Sequence, residues 1–286
     1  MGSIKIITDN AAQFSKPGCF DNLEISLINH HINLANDGHD DLQKMKIVNL
    51  PAWVTKNGPP SFLPPNTGEI SELITSAYHS CNDLFIITVS RFLHPGFNEI
   101  ETICAGLRGK TNIHLIDSES IGIGEGQIVQ LAAEMVKKQL PATAIDEALR
   151  KTVPHVYMLL CTPNFSYLNK SGFIDAGQSV VGEMLSMLPI FSLEDGKLNP
   201  VEKVKNVHSL IDFFIEFIDE FDDLQSVAFL QPAPPACIES NLVRQKIEEA
   251  FPKATYSEHM VNPFMAALFG PRCMGIVVTE KTQLSY

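Results

Sequence analysis

What this 286-residue chain lacks removes several classes of function. Positive charge is scarce: 21 Lys and Arg stand against 33 Asp and Glu, a formal net charge of -12. Nucleic-acid binding rests on basic side chains that neutralise phosphates, so no nucleic-acid partner is expected, and no anionic membrane surface either. Long apolar runs are missing. The most apolar stretches, such as Val156–Cys161, fall far short of the ~20 residues that span a bilayer, so no membrane insertion is expected. The six cysteines (Cys19, Cys81, Cys104, Cys161, Cys237, Cys273) include no CxxC pair, which favours reduced, buried thiols over disulfides or zinc. No basic-then-apolar leader precedes the first apolar run, and Ile6 stands where a myristoylation signal needs Ser or Thr. A cytoplasmic protein is the expectation.

What is present points to a large folded core. Hydrophobic residues make up 45% of the chain and charged residues 19%, with no long block of like charge, so the chain is globular and long enough for two domains. Two strand–loop–helix units follow one another. The first is Leu84–Val89, loop Ser90–Gly96 and a helix to about Leu107. The second is Asn112–Ile116, loop Asp117–Gly126 and a helix Gln127–Lys138. Two such units imply a βαβ crossover and a parallel sheet, whose ligands sit at the carboxyl ends of the strands. The strand Ile4–Ile7 adds Thr8-Asp9-Asn10 to the same rim. Weaker patterns suggest a strand Leu23–Ile28, a turn Asn36-Asp37-Gly38 and a strand near Met45–Leu50. The Pro-rich Asn57–Asn66 reads as a loop, and Asn66 or Thr67 caps a helix to about Ser80.

Beyond a helix opened by the capping-box-like Thr143-x-x-Asp146, the pattern changes at Val153. A strand His155–Cys161 is followed by a short helical turn capped by Asn164 and broken at Ser171-Gly172. Then come a helix Ala176–Met187, a hairpin turning at Glu194-Asp195-Gly196, and a helix Asn206–Phe221 whose Phe-rich stripe reads as core. The strand Val227–Leu230, the helix Ile238–Phe251, the strands Thr255–Met260 and Met274–Val278, and a tail Glu280–Tyr286 complete the chain. The fold class is α/β: a parallel-sheet domain over residues 1–153 and an α/β domain with hairpin strands over 154–286.

Few motifs carry chemistry. Gly122-x-Gly124-x-Gly126 places its third glycine one residue too early for a dinucleotide loop, and Asp117, Glu119 and Glu125 would repel a pyrophosphate, so these glycines read as a tight turn. Gly109-Lys110-Thr111 lies between a helix and a strand, the reverse of a P-loop. His30, His31 and His39 near Asp40 and Asp41 lack metal-ligand spacing and read as solvated loop histidines. No GxSxG elbow occurs and nothing nominates a nucleophile, so no catalytic residue, metal or cofactor is expected. Two arginines stand out. Arg91 follows Ser90 directly after a strand, and Arg272 follows Gly270-Pro271; facing one cleft they would hold a carboxylate or phosphate, and otherwise they are solvated surface groups.

The order of these motifs resembles the DegV family of bacterial fatty-acid-binding proteins over nearly the whole chain. The likeness is carried by Ile-Thr-Asp9, by Pro60–Gly68 at the family's Thr-Ser-Gln-Pro-Ser loop, by Ile87-Thr-Val-Ser90, and by Ile116-Asp117-Ser118 with Gly122 and Gly124. It continues through Tyr167-Leu-x-Lys-x-Gly172-x-Ile174, Pro189-Ile with Leu193-Glu-Asp-Gly196-Lys, and Gly270-Pro271. The resemblance implies two α/β domains around one long-chain fatty acid, with its carboxylate held by hydroxyl and His side chains. For some members it also implies presentation of the acid to an ATP-using kinase subunit. By that resemblance the ligand-binding set is Ser61, Phe62, Ser90, Arg91, Gly270, Pro271 and Arg272. Ser61 stands for a Thr hydroxyl and Ser90 for the first of two serines; Arg91 replaces the second serine, and Arg272 the last glycine of Gly-Pro-Gly. Leu268 and Phe269 stand at the family's His and Thr, Phe173 and Val207 at frequent arginines, and Leu188 at a lysine. The expectation is that Arg91 and Arg272 take over the anion-holding role in a non-catalytic binding protein. The competing readings are an enzyme on a small phosphorylated substrate and a scaffold whose lipid site has decayed.

Overall fold

The computed structural model describes residues 3–15, 23, 25–34, 38–41, 45–55, 58, 60–63, 66–232 and 239–282. The first half runs β1 (Ile4–Asp9), β2 (Ile25–Ile28), β3 (His31–Leu34), β4 (Gly38–Asp41), β5 (Ser61–Phe62), α1 (Thr67–Tyr78), β6 (Asp83–Thr88), α2 (Gly96–Gly106), β7 (Asn112–Asp117), α3 (Ile123–Lys137) and α4 (Ala142–Thr152). The strands β2-β1-β6-β7 form a parallel sheet, and β4-β3-β5 a small antiparallel one beside it. The strands of the parallel sheet are near-continuous apolar runs because both faces are covered. Ile7, Leu84 and Ile86 meet Ile70 and Ile74 of α1 and Ile100 of α2. On the other face Ile6, Phe85, Ile87 and Ile116 join Ile128, Ala132 and Met135 of α3 in a different cluster.

The second half runs β8 (Val156–Cys161), α5 (Phe165–Lys170), α6 (Ala176–Met184), β9 (Leu188–Glu194), β10 (Lys197–Val204), α7 (Val207–Ile218), β11 (Leu224–Gln231), α8 (Ser240–Ala250), β12 (Thr255–Met260), α9 (Pro263–Phe269) and β13 (Met274–Glu280). Its six strands are ordered β10-β9-β8-β13-β11-β12 and antiparallel except for the β11–β12 pair. The β9–β10 hairpin turns at Asp195 and Gly196, both with positive φ, as the Asp-Gly pair predicts. Alternation along these strands sends Leu159, Ile190, Phe229 and Ile276 to α7 and α8. Met158, Leu160, Phe191, Leu230 and Val277 point the other way, into the cluster that also holds the first sheet's Ile6 and Phe85. The two halves therefore share one core. Helix α9 is wedged into it, and its residues Phe264 to Phe269 are all buried, as expected of a helix apolar on every side.

Several expectations are corrected. Helix α3 begins at Ile123, four residues before Gln127, so Gly124 and Gly126 lie in its first turns rather than in the loop. A Cβ on Gly126 would collide with the Gln13 carbonyl, which explains that glycine as close helix–loop packing. Asp146 does not cap α4. Its carboxylate is taken by Arg150 one turn on and by His114 of β7. Asn164 likewise makes no side-chain cap for α5, because its amide spans Ala52 and Arg272. Ile47–Asn49 is a 3-10 turn, not part of a strand, and α6 ends at Met184. Ser61–Phe62 within the Pro-rich loop pairs with β3. Asn36 and Asp37 of the expected turn lie outside the described residues, while Gly38 opens β4. Glu280 belongs to β13, with Oε2 2.7 Å from His155 Nδ1, and residues 283–286 of the expected tail are outside the described part. Helix α9 had no counterpart in the sequence reading, although Asn262 caps it and Pro263 opens it.

Candidate functional site

The carboxyl ends of β1, β6 and β7 meet the second half at a buried polar cluster. Asp9, the last residue of β1, accepts hydrogen bonds from the backbone N–H of Ala11 at 2.9 Å and of Val89 at 3.0 Å. His30 Nε2 lies 3.5 Å from Asp9 Oδ2. Burial would raise the Asp9 carboxyl, but His30 and those two N–H groups hold it below its ordinary value of 3.8, so it is ionised. Glu125 enters from the first turn of α3, wholly buried. Its Oε1 accepts from Thr8 Oγ at 3.2 Å, and its Oε2 has no partner. Burial, and then the charge of Asp9, push Glu125 well above the carboxylate range, so it is protonated. Here is a buried acid pair split into one ionised and one neutral member.

Two histidine rings extend the cluster. His94, on the loop leading into α2, has its centroid 4.1 Å from that of His30. Its Nδ1 accepts from the Gly96 N–H at 3.1 Å. Burial, aided by His30, lowers His94 to about 3, so the ring is neutral with its proton on Nε2, an atom with no partner. Gly96 is required here, since a Cβ would come 2.8 Å from His30 Cε1. Phe62 of β5 and Phe264 of α9 pack on the same ring, 4.6 Å from each other and 5.2 Å and 5.5 Å from His94 between centroids. Thr88 Oγ and Ser120 Oγ, both buried on neighbouring rim positions, also lack partners. Buried polar atoms without partners are uncommon, and several near one sheet edge mark a place where a ligand or water would complete them.

The residues anticipated for binding fall into three places. Ser61 and Phe62 form β5, and Phe62 contributes to the aromatic wall. Ser90 is buried; its Oγ donates to the Gly196 carbonyl at 2.7 Å and accepts from the Phe92 N–H, which ties the rim loop to the β9–β10 turn. Arg91 turns outward, with Nε 2.8 Å from Asp117 Oδ2 and its guanidinium 3.9 Å above the Phe97 ring. Gly270, at φ 91°, ends α9 against Asn164, where a Cβ would collide. The Arg272 N–H donates to Asn164 Oδ1 at 3.1 Å, and its side chain is exposed beyond the half-buried Pro271. Among the described contacts none joins Arg91 to Arg272. His30 corrects the solvated reading: it is buried against Asp9 because the parallel β1–β2 pairing brings it beside that strand end. His31 stays partly exposed, 3.7 Å from Glu69, and the side chain of His39 is outside the described part. Among the described residues no three His, Cys, Asp or Glu side chains are placed to hold a metal ion.

Fold and site define a two-part α/β protein whose halves share a core, with a buried, partly unsatisfied polar cluster at their junction. The chain belongs to the DegV family, whose model, described as an uncharacterised protein of that family, matches residues 3–281. A DegV domain-containing protein of Staphylococcus aureus is 26% identical over 171 residues, 59% of this chain and 61% of its own. One from Caldanaerobacter subterraneus is 28% identical over 133 residues, 46% of this chain and 47% of its own. The matches to these two relatives thus span less than two thirds of their lengths. Among solved structures, a fatty acid binding DegV family protein from Streptococcus agalactiae superposes with a TM-score of 0.83 at 15% identity, covering 99% of this chain and 100% of its own. A DegV family protein from Eubacterium eligens loaded with heptadecanoic acid gives 0.80 at 13%, covering 98% and 100%. DegV of Bacillus subtilis, a fatty acid binding protein, gives 0.77 at 17%, also covering 98% and 100%. At these identities the likeness establishes the fold. Among the described residues no helix is long and apolar enough to cross a membrane.

Proposed function

We propose that this protein binds one long-chain fatty acid, or a similar apolar carboxylate, between its two halves and catalyses no reaction. The observation that carries the reading is the set of buried, unpartnered hydrogen-bonding atoms on His30, His94, Glu125, Thr88 and Ser120, with Phe62 and Phe264 packed on the His94 ring, in a DegV-family chain. A groove of about 700 Å³ lined by Ile47, Met260, Val261 and Pro263 among others runs between the halves beside α9. Its size suits an acyl chain, since small-molecule sites span roughly 300–1,000 Å³. Each buried methylene would contribute at most ~0.8 kcal/mol before the costs of association.

In this reading residues 1–153 and 154–286 are the two domains, and Ser61, Phe62, Ser90, Gly270, Pro271 and Arg272 frame the ligand from both sides. Arg91 and Arg272 act at the mouth, where their charge attracts a free fatty acid. Replacing both with Ala is expected to slow oleate association at low salt, with the difference from wild type vanishing in about 1 M salt, where the Debye length is about 3 Å. An unchanged association rate at low salt removes the arginines from the reading.

The reading also includes presentation of the bound acid to a separate kinase subunit, checked by co-purification, and a cytoplasmic location, supported by the free thiols of the described Cys81, Cys104, Cys161 and Cys273. The direct test is denaturation of the purified protein followed by mass spectrometry of the organic extract. A stoichiometric acyl chain is expected. An empty protein that also fails to bind added oleate overturns the proposal in favour of a phosphorylated small-molecule substrate or a scaffold without a lipid site.

A further inference from the structure

We infer that the β9–β10 turn is a built-in competitor for the ligand: the Gly196 carbonyl holds the one proton of Ser90 that an acyl head group would take, so loading requires the turn to lift. The inference rests on the acyl-binding reading, in which Ser90 frames the ligand, and adds the step that opens the site.

The first reason is stoichiometric. A hydroxyl has one proton to donate. Ser90 Oγ gives its proton to the Gly196 carbonyl at 2.7 Å and accepts from the Phe92 N–H at 3.2 Å. Ser90 is also wholly buried, so no head group reaches that oxygen in this arrangement. The second reason is which side of the contact can move. Ser90 is anchored by its backbone: its N–H donates to the Ser120 carbonyl at 2.9 Å, and its carbonyl accepts from the N–H groups of Leu93 at 3.0 Å and His94 at 3.2 Å. The turn is a strand tip at the sheet's edge, where β10 lies outermost beside β9. Its residues Glu194, Asp195 and Lys197 are exposed. Among the described residues, its polar ties to the first half are the Gly196–Ser90 bond and the Lys197 ammonium 4.6 Å above the Phe92 ring.

Third, the contact is closed against opposing forces. Asp195 in the turn and Glu119 on the rim loop opposite it are non-glycine residues at φ 49° and φ 50°, a region that costs most side chains energy. Glu119 Cα lies 3.4 Å from the place where a Cβ on Gly196 would stand, so the loop and the turn are packed together. Like charges meet there. Burial first, and then the charges of Asp117 and Asp195, raise the Glu119 carboxyl, with Arg91 acting in the other direction. Asp195 therefore pushes the turn away from the rim, while Lys197 on Phe92 draws it back. A contact balanced in this way opens for a modest gain in binding energy, and a head group bonded to the freed Ser90 hydroxyl supplies it.

The test measures oleate affinity of the full-length protein carrying Lys197→Ala or Asp195→Asn, two exposed positions outside the ligand-binding set. Lys197→Ala loosens the turn and is expected to tighten oleate binding ~3–10-fold, whereas Asp195→Asn removes the repulsion and is expected to weaken it by a similar factor. Simple attraction of the oleate anion gives the opposite signs, because the first change removes a positive charge and the second a negative one. In a Ser90→Ala background both effects are expected to vanish, since the Gly196 carbonyl then has no proton to withhold. Effects of the electrostatic sign, no effect, or effects that persist in the Ser90→Ala protein overturn this inference and leave acyl binding intact. Failure of the wild type and every variant to bind oleate overturns the acyl-binding reading together with the inference built on it.

Discussion

Ser90 donates its hydroxyl proton to the Gly196 carbonyl across 2.7 Å, joining the first sheet's rim to the hairpin turn of the second half. The same Oγ accepts from the Phe92 N–H, so both of its hydrogen-bonding roles are occupied by protein. Gly196 sits at φ 74°, and a Cβ there would come 2.5 Å from Ser90 Oγ. Ser90→Ala leaves a buried carbonyl and an N–H short of a partner and is expected to destabilise by ~1–3 kcal/mol. Gly196→Ala adds a positive-φ penalty to the clash and is expected to lower stability by a comparable ~1–3 kcal/mol. Urea midpoints of the two single variants and the double variant check the pairing: the double variant should lose less than the sum. Additive losses would mean that the two residues act independently.

Glu125 should make the protein less stable as pH rises. Its carboxyl is raised well above its ordinary 4.5 in the folded state by burial and by Asp9. Between the unfolded and folded values the folded state holds a proton that the unfolded state has released. Stability is therefore complete below about 4.5 and is lost upward at up to ~1.4 kcal/mol per pH unit. Asp9, with a folded value below 3.8, acts only at more acid pH. Glu125→Gln keeps an acceptor for Thr8 and removes the titration. Its stability relative to wild type is expected to increase from about pH 5 to about pH 8 in paired denaturation curves, and a pH-independent difference would contradict a protonated Glu125.

The parallel sheet and the mixed sheet were legible because their strands are apolar runs closed by turn residues, and the Asp195-Gly196 hairpin because its turn needs two positive φ angles. Asp9 was placed on the correct rim, but its partners were not. His30 and His31 are adjacent in the sequence, and one is buried while the other is partly exposed. That difference is set by how β2 pairs with β1, which local pattern does not reveal. Helix α9 was missed because seven residues apolar on every side show no helical periodicity. Arg91 was noticed for its position, yet its direction is decided by Asp117 on the neighbouring strand and Phe97 on the following helix.

Gly126 offers a test of the reading that replaces a nucleotide loop with close packing. The Gln13 N–H donates to the Gly122 carbonyl at 2.9 Å, holding the segment after β1 against the start of α3. A methyl group at Gly126 meets the Gln13 carbonyl on that segment, a backbone atom that cannot turn aside. Gly126→Ala gains helix propensity of ~1 kcal/mol, but overpacking is expected to outweigh it with a cost of ~1–3 kcal/mol. Gly106→Ala, at the end of α2 with nothing within 4 Å of the added Cβ, serves as the control and should be tolerated. Thermal midpoints of the two variants decide between these effects: equal midpoints would show that the segment moves aside at no cost.

His94 provides the opposite pH signature to Glu125. Its ring is depressed to about 3 by burial and by His30, against an ordinary value of 6.5. As pH falls below 6.5 the unfolded state takes up a proton that the folded ring refuses, so stability present above 6.5 is progressively lost toward about 3. His94→Phe keeps a ring against Phe62 and Phe264 but removes both the titration and the acceptor for the Gly96 N–H. Near pH 7 the variant is expected to be less stable by ~1–3 kcal/mol, the cost of an unsatisfied buried donor. Toward pH 5 the gap should narrow by up to ~1.4 kcal/mol per pH unit, because wild type alone bears the His94 penalty. Asp9, His30 and Glu125 are common to both proteins and largely cancel in the comparison. Paired urea titrations at several pH values give the gap directly. A gap that stays constant would mean that His94 takes up its proton in the folded state as readily as in the unfolded chain, and the donor assigned to its Nε2 would then carry a charge.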